Sequence, residues 1–443
     1  MTIQLSDHFT YQKLLQYTIP SIIMMILTSI YSIVDGLFVS NFVGKIPFAS
    51  LNLMYPFITA ISTIGFMMGA GGSAIVGITL GEGKKEKACQ YFSMIIYVTA
   101  LTGIIISIIA IIFMEDIAYL LGASEQMINY CTLYGRIMTA GLTAFILQVS
   151  FQSFCVTAQK PSLSLKLSIV AGLTNIILDY LFVVVFKWGL AGAAYATIMG
   201  QAVGAVVPFI YFYHKNDSLL QLTRTKFHGK ILLKVCTNGS SELMTNISSA
   251  IVNILYNFQL MTLAGENGIA AYGVIMYVVF IFAAIYIGYS IGSAPIVSYH
   301  YGAKNSDELK NLVKKSIFIT GIVGIMMTIL AEISAPTLVN FFVGYDRDLF
   351  EMTCHGFRLY AISFIVMGFN IWSSGFFTAL GDGIISAILA FLRALVFQAI
   401  IILVLPLILG LSGVWLAIVI AEILAMLVTI YFLYKKKDKY HYI

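Results

Sequence analysis

Four carboxylates lie well inside long apolar runs of this chain, where a charged group is costly. Asp35 interrupts the run YSIVDGLFVS, and Asp179, Glu242 and Glu422 have similar settings further along. A carboxylate at the centre of a membrane helix costs about 2.5–3.5 kcal/mol on insertion scales. Such residues usually face a cavity or a partner, so each of the four is a candidate functional residue.

Two of these acids have polar neighbours at helical spacing. Asn175 precedes Asp179 by four residues, which places both side chains on one face of a helix. Thr197 and Gln201 are also four residues apart, on the next apolar run. Small residues recur every four positions along that run, at Gly192, Ala196, Gly200 and Gly204, and this spacing predicts close contact with a neighbouring helix. If the helices that carry Asp35, Asp179 and Thr197 meet, their oxygen atoms form one cluster. The alternative is that each polar residue is satisfied separately and only aids folding.

A pair of enclosed carboxylates has a specific chemistry. Because of desolvation and mutual repulsion, two carboxylates in a pocket of low dielectric constant do not readily both ionise. Such a site can load a proton near neutral pH, and the same oxygens, once deprotonated, suit a hard cation such as Na⁺. We therefore predict a cation-coupling site at Asp35, Asn175, Asp179 and Thr197, with Asp35 and Asp179 as candidate Na⁺ ligands. The residues do not distinguish H⁺ from Na⁺.

A second candidate polar site lies in the C-terminal half of the chain. Arg393 falls within an apolar run, as do the acids Glu242 and Glu422. We expect Arg393 to pair with Glu422 or another acid in a structural role. Glu242 either acts in transport or hydrogen-bonds neighbours such as Ser240.

Aromatic, methionine and amide side chains are candidates for the wall of a central cleft. They suit flat organic cations through stacking and adaptable packing. Met and Phe in a membrane helix are also typical of lipid contact or helix packing. The candidate cleft residues are Met24, Met25, Tyr31, Phe38, Asn41, Met54, Gln148, Gln201, Asn253 and Tyr256.

Apolar helices long enough to cross a membrane carry all of these residues. The chain is 60% hydrophobic and 10% charged, whereas a soluble globular protein has about 25% charged residues. Apolar stretches of about 20 residues span a bilayer as helices. We predict an all-α polytopic membrane protein with twelve helices, over residues 14–40, 48–79, 91–114, 133–157, 163–186, 189–213, 231–263, 270–299, 313–335, 357–379, 384–409 and 411–434.

Basic residues are unevenly distributed between the two ends of the predicted helices. With the N-terminus placed inside, 19 of the 25 Lys and Arg residues fall on that side and 5 on the other. Cytoplasmic loops are enriched in Lys and Arg. We expect a multi-pass protein of the plasma (inner) membrane with both termini in the cytoplasm.

The two halves of the chain resemble each other. GLAGAAYATIMGQ at 189 matches GLSGVWLAIVIAE at 410, AQKPS at 158 matches ALGDG at 379, and GSAIVGITLGEGKK at 72 matches GSAPIVSYHYGAKN at 292. Six helices per half give a parallel repeat with a substrate path between the halves. We predict an N-terminal lobe at 1–213, a cytoplasmic linker at 214–230 and a C-terminal lobe at 231–443. Asn253 corresponds to Asp35 if a small shift of the register is allowed, and Ile400 corresponds to Asp179, so only the first lobe keeps the acid pair.

Several other classes of function have no support in the sequence. The five cysteines form no CxxC pair, so neither a metal site nor a disulfide framework is indicated. The basic residues form no patch of the kind that binds nucleic acid. P-loop and HExxH motifs are absent from the sequence. We expect a monomeric protein that is not an enzyme, has no cofactor other than a coupling ion, and does not bind nucleic acid.

Four stretches, in order, resemble the multidrug and toxic compound extrusion (MATE) family. They are YSIVDGLFVSNFVG, GAGGSAIVGITLGEGKKEKA, NIILDYLFV and GLAGAAYATIMGQ, and the resemblance extends over the whole chain. It implies two six-helix lobes around a V-shaped central cleft. It also implies a secondary antiporter that exports cationic amphiphilic drugs or toxic organic compounds in exchange for H⁺ or Na⁺, by alternating access.

The resemblance assigns the same first-lobe residues to coupling. By motif position, Asp35, Asn175, Asp179 and Thr197 match the cation site of the family. Some members also carry an acid on the tenth helix, which AISFIVMGFNIWSSGFF lacks here. That departure favours coupling in the first lobe.

Three other functions remain as alternatives. A lipid or polysaccharide flippase of the same superfamily is the main one, although an acidic cleft argues against anionic lipid-linked cargo. A passive channel would not accumulate its substrate against a gradient. An intramembrane enzyme would need a nucleophile–base pair or a metal constellation, and the sequence shows neither.

Overall fold

The chain folds into a series of long helices, described over residues 3–442 by a computed structural model. The side chains of residues 32, 37 and 45 lie outside this description. The first eight helices are α1 (Tyr11–Phe42), α2 (Lys45–Gly81), α3 (Lys85–Ile112), α4 (Met114–Leu120), α5 (Ile128–Ala140), α6 (Leu142–Thr157), α7 (Pro161–Asp179) and α8 (Gly189–Tyr213). The others are α9 (Gly229–Gly302), α10 (Ser306–Val343), α11 (Arg347–Ala361), α12 (Phe364–Ala379), α13 (Gly383–Phe391), α14 (Gln398–Val404) and α15 (Pro406–Tyr440).

The lengths and apolar compositions of these helices are those of a multi-pass membrane protein. Within residues 3–442, nine helices are long and apolar enough to cross a membrane, and two bent pairs raise the number to eleven. The pairs are α5 with α6, bent by 49°, and α11 with α12, bent by 51°. The 74-residue α9 breaks at Gly265, where φ is 62° and ψ is −149°. Counting the two parts of α9 separately raises eleven to the predicted twelve.

The predicted helix boundaries need three corrections. The spans predicted at 133–157 and 357–379 are each two helices joined at a bend. The loop predicted between residues 263 and 270 is reduced to Gly265. This glycine alone leaves the helical conformation, because it readily adopts a positive φ. The short α4 was not predicted, since its seven residues follow directly on the apolar end of α3.

The internal repeat is visible in the backbone itself. Residues with positive φ recur in the two halves at nearly one spacing, and positive φ is uncommon outside glycine. The matched pairs are Gly44 with Gly265, Gly83 with Lys304 and Gly189 with Gly410, each 221 positions apart, and Gln159 with Gly381, 222 apart. Each half therefore turns its chain at equivalent places, as a parallel repeat requires.

This backbone register corrects two of the sequence matches. Gln159 pairs with Gly381, so AQKP at 158 corresponds to LGDG at 380, one residue from the predicted alignment. Gly44 pairs with Gly265 at the end of the helix that carries Asp35. Asp35 therefore corresponds to Tyr256, and not to Asn253, because no loop intervenes to shift the register.

The two halves meet tightly at one end of the helices. Gly288 and Gly292 of α9 lie against α1, and a Cβ at Gly292 would be 2.9 Å from the Cα of Thr18. Gly71 of α2 lies against the backbone at Val235 of α9. All of these contacts are at the end that carries the basic loops, which is the predicted cytoplasmic end.

The segment before α1 also ties the two halves together at this end. His8 Nδ1 lies 2.6 Å from Glu308 Oε2, and the backbone N–H of Phe9 donates to Glu308 Oε1 at 2.9 Å. The Asn311 amide donates to the Phe9 carbonyl at 3.0 Å. Leu5 and Phe9 are fully buried in a cluster with residues of α10 and α12. This end is therefore packed shut.

The linker between the halves is ordered by side-chain contacts. The Lys160 ammonium lies 2.6 Å from Asp217 Oδ2, and the Tyr211 hydroxyl donates to Asp217 Oδ1 at 2.9 Å. The hydrogen bond from Lys160, followed by that from Tyr211, holds the pKa of Asp217 below its usual range. Leu220 is fully buried against the first half.

Candidate functional site

Three helices bring the predicted coupling residues together. α1 carries Asp35, α7 ends at Asp179, and α8 carries Thr197. α7 and α8 approach closely because Gly200 faces α7, where a Cβ would be 2.8 Å from the Ala171 carbonyl. Small residues permit this kind of close helix contact. The prediction that α8 packs closely through its glycines is confirmed.

The four polar side chains form one cluster inside the first half. The Thr197 hydroxyl lies 3.4 Å from Asp35 Oδ1, and the Asn175 amide lies 3.5 Å from the Thr197 hydroxyl. Thr197 also donates to the Ala193 carbonyl at 3.0 Å. Both side-chain distances are long for hydrogen bonds. The cluster is therefore loosely connected, which leaves its oxygens available to another partner.

Asp179 is the least compensated member of the cluster. Its side chain is fully buried, and within the described residues neither carboxylate oxygen receives a hydrogen bond. The carboxyls of Asp35 and Asp179 lie close enough for their charges to interact. Buried carboxylates without donors are costly. A proton or a small cation between these oxygens would remove that cost.

The backbone changes character immediately after Asp179. Residues Tyr180–Val185 form a π-helical segment that continues α7 to residue 185. π-helical turns inside α-helices are rare and are frequent at functional sites. Here the segment begins at the residue after the buried carboxylate.

The three charged residues of the second half form a separate cluster. Arg393 Nε donates to Glu422 Oε1 at 2.9 Å, and Glu422 is 1% exposed. The Asn370 amide donates to Glu422 Oε2 at 2.6 Å and to its backbone carbonyl at 2.9 Å. Glu242, on α9, is partly buried within electrostatic reach of Arg393. The expected pairing of Arg393 with Glu422 is present.

The candidate cleft residues are not all placed on a cleft wall. Met24, Met54 and Tyr256 are buried within the packed helices in this structure. Met54 packs in an apolar cluster of the first half, and Tyr256 stacks on Tyr272 with ring centroids 4.9 Å apart. Gln148 is 5% exposed. These four lie inside the helical packing because the helix faces that carry them meet neighbouring helices.

The remaining candidates are more accessible. Asn41 and Asn253 are exposed, and Asn253 accepts a hydrogen bond of 2.7 Å from the Tyr272 hydroxyl. Partly buried side chains belong to Met25, Tyr31, Phe38 and Gln201. Tyr31 lies four residues before Asp35 and Phe38 three residues after it, so an aromatic residue lies about one helical turn from Asp35 on each side along α1.

Asn370 is a polar site residue that the sequence analysis did not single out. It is 2% exposed and holds Glu422 through two hydrogen bonds. Its amide was visible as one polar side chain in the apolar stretch FIVMGFNIW. A single amide in an apolar helix gives no sign of the residue that it supports, so the sequence alone does not connect Asn370 with Glu422.

Comparison with known proteins gives one family. The family model described as MatE matches residues 20–181 and matches again at residues 243–404. The second match begins 223 positions after the first, in agreement with the internal repeat. Together the two matches cover well over half of the chain.

Individual relatives extend over nearly the whole length. The chain is 23% identical over 430 residues to "Multidrug export protein MepA" of Staphylococcus saprophyticus, covering 97% of this chain and 94% of the relative. It is also similar to a solved structure described as an outward-facing conformation of a multidrug resistance MATE family transporter of the MOP superfamily. That likeness has a TM-score of 0.92 and 21% identity, and covers 98% of this chain and 97% of the other.

A third similar protein differs in its stated function. It is a MOP superfamily transporter from Pyrococcus furiosus whose binding pocket is described as having reverse polarity, suggesting a different function. The TM-score is 0.90 at 22% identity, with 97% of each chain covered. At this level of identity the structural likenesses establish the fold.

Proposed function

The chain belongs to the MatE family of multidrug and toxic compound extrusion transporters, and from this premise we propose that it exports cationic amphiphilic compounds in exchange for H⁺ or Na⁺. Members of this family are transporters and not enzymes. The relative named a multidrug export protein supports drugs or toxic organic compounds as cargo. We place the protein in the plasma membrane as a monomer, with both termini in the cytoplasm.

The single observation that carries the proposal is the uncompensated acid pair in the first half. Asp179 is fully buried and its oxygens accept no hydrogen bond within the described residues. Asp35 lies beside it, with the Thr197 hydroxyl 3.4 Å from its Oδ1. A bound cation neutralises the pair, and its release restores an unfavourable charge. The occupancy of the site therefore changes the energy of whichever conformation encloses it.

The way the halves meet supports alternating access. Their contacts concentrate at the end with the basic loops, where the segment before α1 also bridges the halves. A cleft that closes at this end admits a cation to the acid pair from the opposite end. Neutralisation of the pair then favours rearrangement, after which the ion leaves and cargo enters from the cytoplasm. Cargo and ion alternate because both are positively charged.

Flipping of anionic lipid-linked cargo remains the alternative, and the charges of the site give it no support. The first-half cluster is acidic, and the basic group in the second-half cluster, Arg393, is paired with Glu422 at 2.9 Å. A site for an anionic headgroup would need accessible positive charge.

The proposal is tested by transport with one gradient at a time. The purified protein would be reconstituted into liposomes, and the liposomes would be loaded with ethidium. A pH gradient would then be imposed in one experiment and a Na⁺ gradient in another. We expect one of the two gradients to drive ethidium movement against its concentration gradient. Movement that only equalises ethidium under both gradients would indicate a passive pore and contradict the proposal.

A further inference from the structure

The second half contains a buried acid that already has a positive partner. Glu422 is 1% exposed and lies inside the helical bundle on α15. Arg393 donates to one of its oxygens at 2.9 Å, and Asn370 donates to the other at 2.6 Å. Both carboxylate oxygens are therefore satisfied by the protein. This is the reverse of Asp179, whose oxygens receive no hydrogen bond within the described residues.

The internal repeat shows how this difference arises. At the spacing of 222 positions, which holds between Gln159 and Gly381 just before the helices concerned, Arg393 corresponds to Ala171 of the first half. At the spacing of 221 positions, Glu422 corresponds to Gln201. The first half therefore has a small apolar residue where the second half has a guanidinium donor.

At the positions of the acid pair, the first half has the charged residues and the second half has uncharged ones. At the same spacing, Asp35 corresponds to Tyr256 and Asp179 to Ile400. Each half thus has carboxylates within its helices at positions where the other half has uncharged residues. Only in the second half does a covalently attached cation accompany it, and the ion pairs within residues 3–442 include none to Asp35 or Asp179.

We propose that Arg393 is a built-in counter-cation that occupies the position a small monovalent cation would otherwise take at Glu422. Because a guanidinium stays charged and cannot diffuse away, the negative charge of Glu422 stays neutralised throughout the transport cycle. The second half therefore contributes no exchangeable ion, and each chain has one coupling site, at Asp35 and Asp179. This deepens the proposed function and depends on it for the statement about coupling, although cation binding can be measured without transport.

The surroundings of Glu422 would suit a cation if the guanidinium were removed. Among the described residues, Asn370 Oδ1 is buried without a hydrogen-bond partner, and so is the hydroxyl of Tyr256. The charged or titratable groups close enough to interact with Glu422 or Arg393 are Tyr256 on α9, Tyr360 on α11 and Glu242 on α9. Apart from Arg393 these groups carry no positive charge. Carboxylate, amide and hydroxyl oxygens are the ligands that a hard cation prefers.

The test measures Na⁺ binding to full-length protein in which the first-half site is disabled by Asp35→Asn and Asp179→Asn. Binding would be followed by thermal stability and by equilibrium binding of radioactive Na⁺, with choline as the replacement cation. In this background we expect little Na⁺ binding. Adding Arg393→Met should lower the half-saturating Na⁺ concentration at least tenfold and give one bound ion per chain. Adding Glu422→Gln to that variant should abolish the binding.

Arg393→Lys in the same background is the matched control, because it keeps a positive charge beside Glu422. It should not gain Na⁺ binding. If Arg393→Met is too unstable to purify in choline, the same comparison is made as the yield of monodisperse protein purified in Na⁺ and in choline. A higher yield in Na⁺ that depends on Glu422 supports the proposal.

Two results would overturn the proposal. One is an Arg393→Met protein that folds but binds no Na⁺, or gives equal yields in the two salts. The other is Na⁺ binding that persists after Glu422→Gln. Neither result depends on ethidium transport, so failure of this inference is distinguishable from failure of the proposed antiport.

Discussion

Gly200→Ala is the substitution whose effect on the coupling site can be worked most directly from the structure. Gly200 lies where α8 crosses α7, three residues after Thr197. A Cβ added there would be 2.8 Å from the Ala171 carbonyl oxygen and 3.0 Å from the Cβ of Asn175. Both contacts are shorter than ordinary van der Waals distance. The neighbours are backbone and the first side-chain atom, so no flexible side chain can move aside.

The two helices must separate to admit the methyl group. Bringing the closest contact from 2.8 Å to 3.4 Å opens the crossing by roughly 0.6 Å. Overpacking of this kind costs about 1–3 kcal/mol of stability. The same movement takes Thr197 away from Asn175, a pair already 3.5 Å apart. Since a misplacement of about 1 Å in a functional site costs about 100-fold in rate, we expect gradient-driven efflux to fall about tenfold.

Gly321→Ala is the matched control, because nothing lies within 4 Å of a Cβ at that position of α10. Alanine inside a helix is favoured over glycine by about 0.5–1 kcal/mol, so this variant should be as stable as the parent or slightly more so. Thermal unfolding in detergent and ethidium efflux from proteoliposomes would be measured for both variants. A Gly200→Ala protein with unchanged Tm and unchanged efflux would refute the reasoning about helix crossing.

Three further predictions concern the rest of the structure. In a chain whose native cysteines are replaced by alanine, Thr18→Cys with Gly292→Cys should form a disulfide once α1 and α9 separate slightly, since a Cβ at Gly292 would be 3.0 Å from the Thr18 Cβ and a disulfide needs about 3.8 Å. Oxidation should stop the efflux that the reduced double-cysteine protein retains; equal efflux by the cross-linked and the reduced protein would contradict alternating access. Asn370→Leu should lower the Tm, because Glu422 loses two donors at a cost of about 1–3 kcal/mol, whereas Asn52→Leu, at a more exposed amide, should not. Because Lys160 lowers the pKa of Asp217, this pair stabilises the fold at neutral pH and ceases to do so as the pH falls through the lowered pKa. Asp217→Asn should therefore lower the Tm slightly at neutral pH and match the wild type in acid; a difference that grows with acidity would show the opposite linkage.

Much of the site was predictable because it depends on helical spacing. Asn175 and Asp179 are four residues apart, so they share a face of any helix that contains both. The recurrence of glycine along α8 indicated a close crossing, and Gly200 lies against Ala171 and Asn175 as expected. The grouping of Asp35 with these residues needed only that three neighbouring helices of one repeat meet.

Other features depended on information that spacing does not contain. The predicted partner of Asp35 in the repeat was wrong by three residues, because the alignment placed a loop where Gly265 alone breaks α9. Met54 and Tyr256 were candidates for a cleft wall, but each lies on a helix face that packs within its own half. Which face of an all-apolar helix meets lipid, cleft or protein is decided by its neighbours, since every face has a similar composition.

The π-helical segment after Asp179 was also beyond prediction. Residues Tyr180–Val185 read as an ordinary apolar continuation of α7. An added residue per turn leaves no compositional signal, because all backbone groups remain hydrogen-bonded within the helix. The relation of this segment to the site is visible only in the structure, where the segment begins directly after Asp179.

The most direct test of the account is the coupling role of the acid pair. Gradient-driven ethidium efflux would be measured in proteoliposomes for the wild type, Asp35→Asn, Asp179→Asn and the control Asp116→Asn, whose side chain is exposed on α4. The protein amounts would be matched, and the gradient would be the one that drives the wild type. We predict that both first-half variants insert normally but lose gradient-driven efflux, while Asp116→Asn retains it. Undiminished gradient-driven efflux by Asp35→Asn and Asp179→Asn would contradict the central claim.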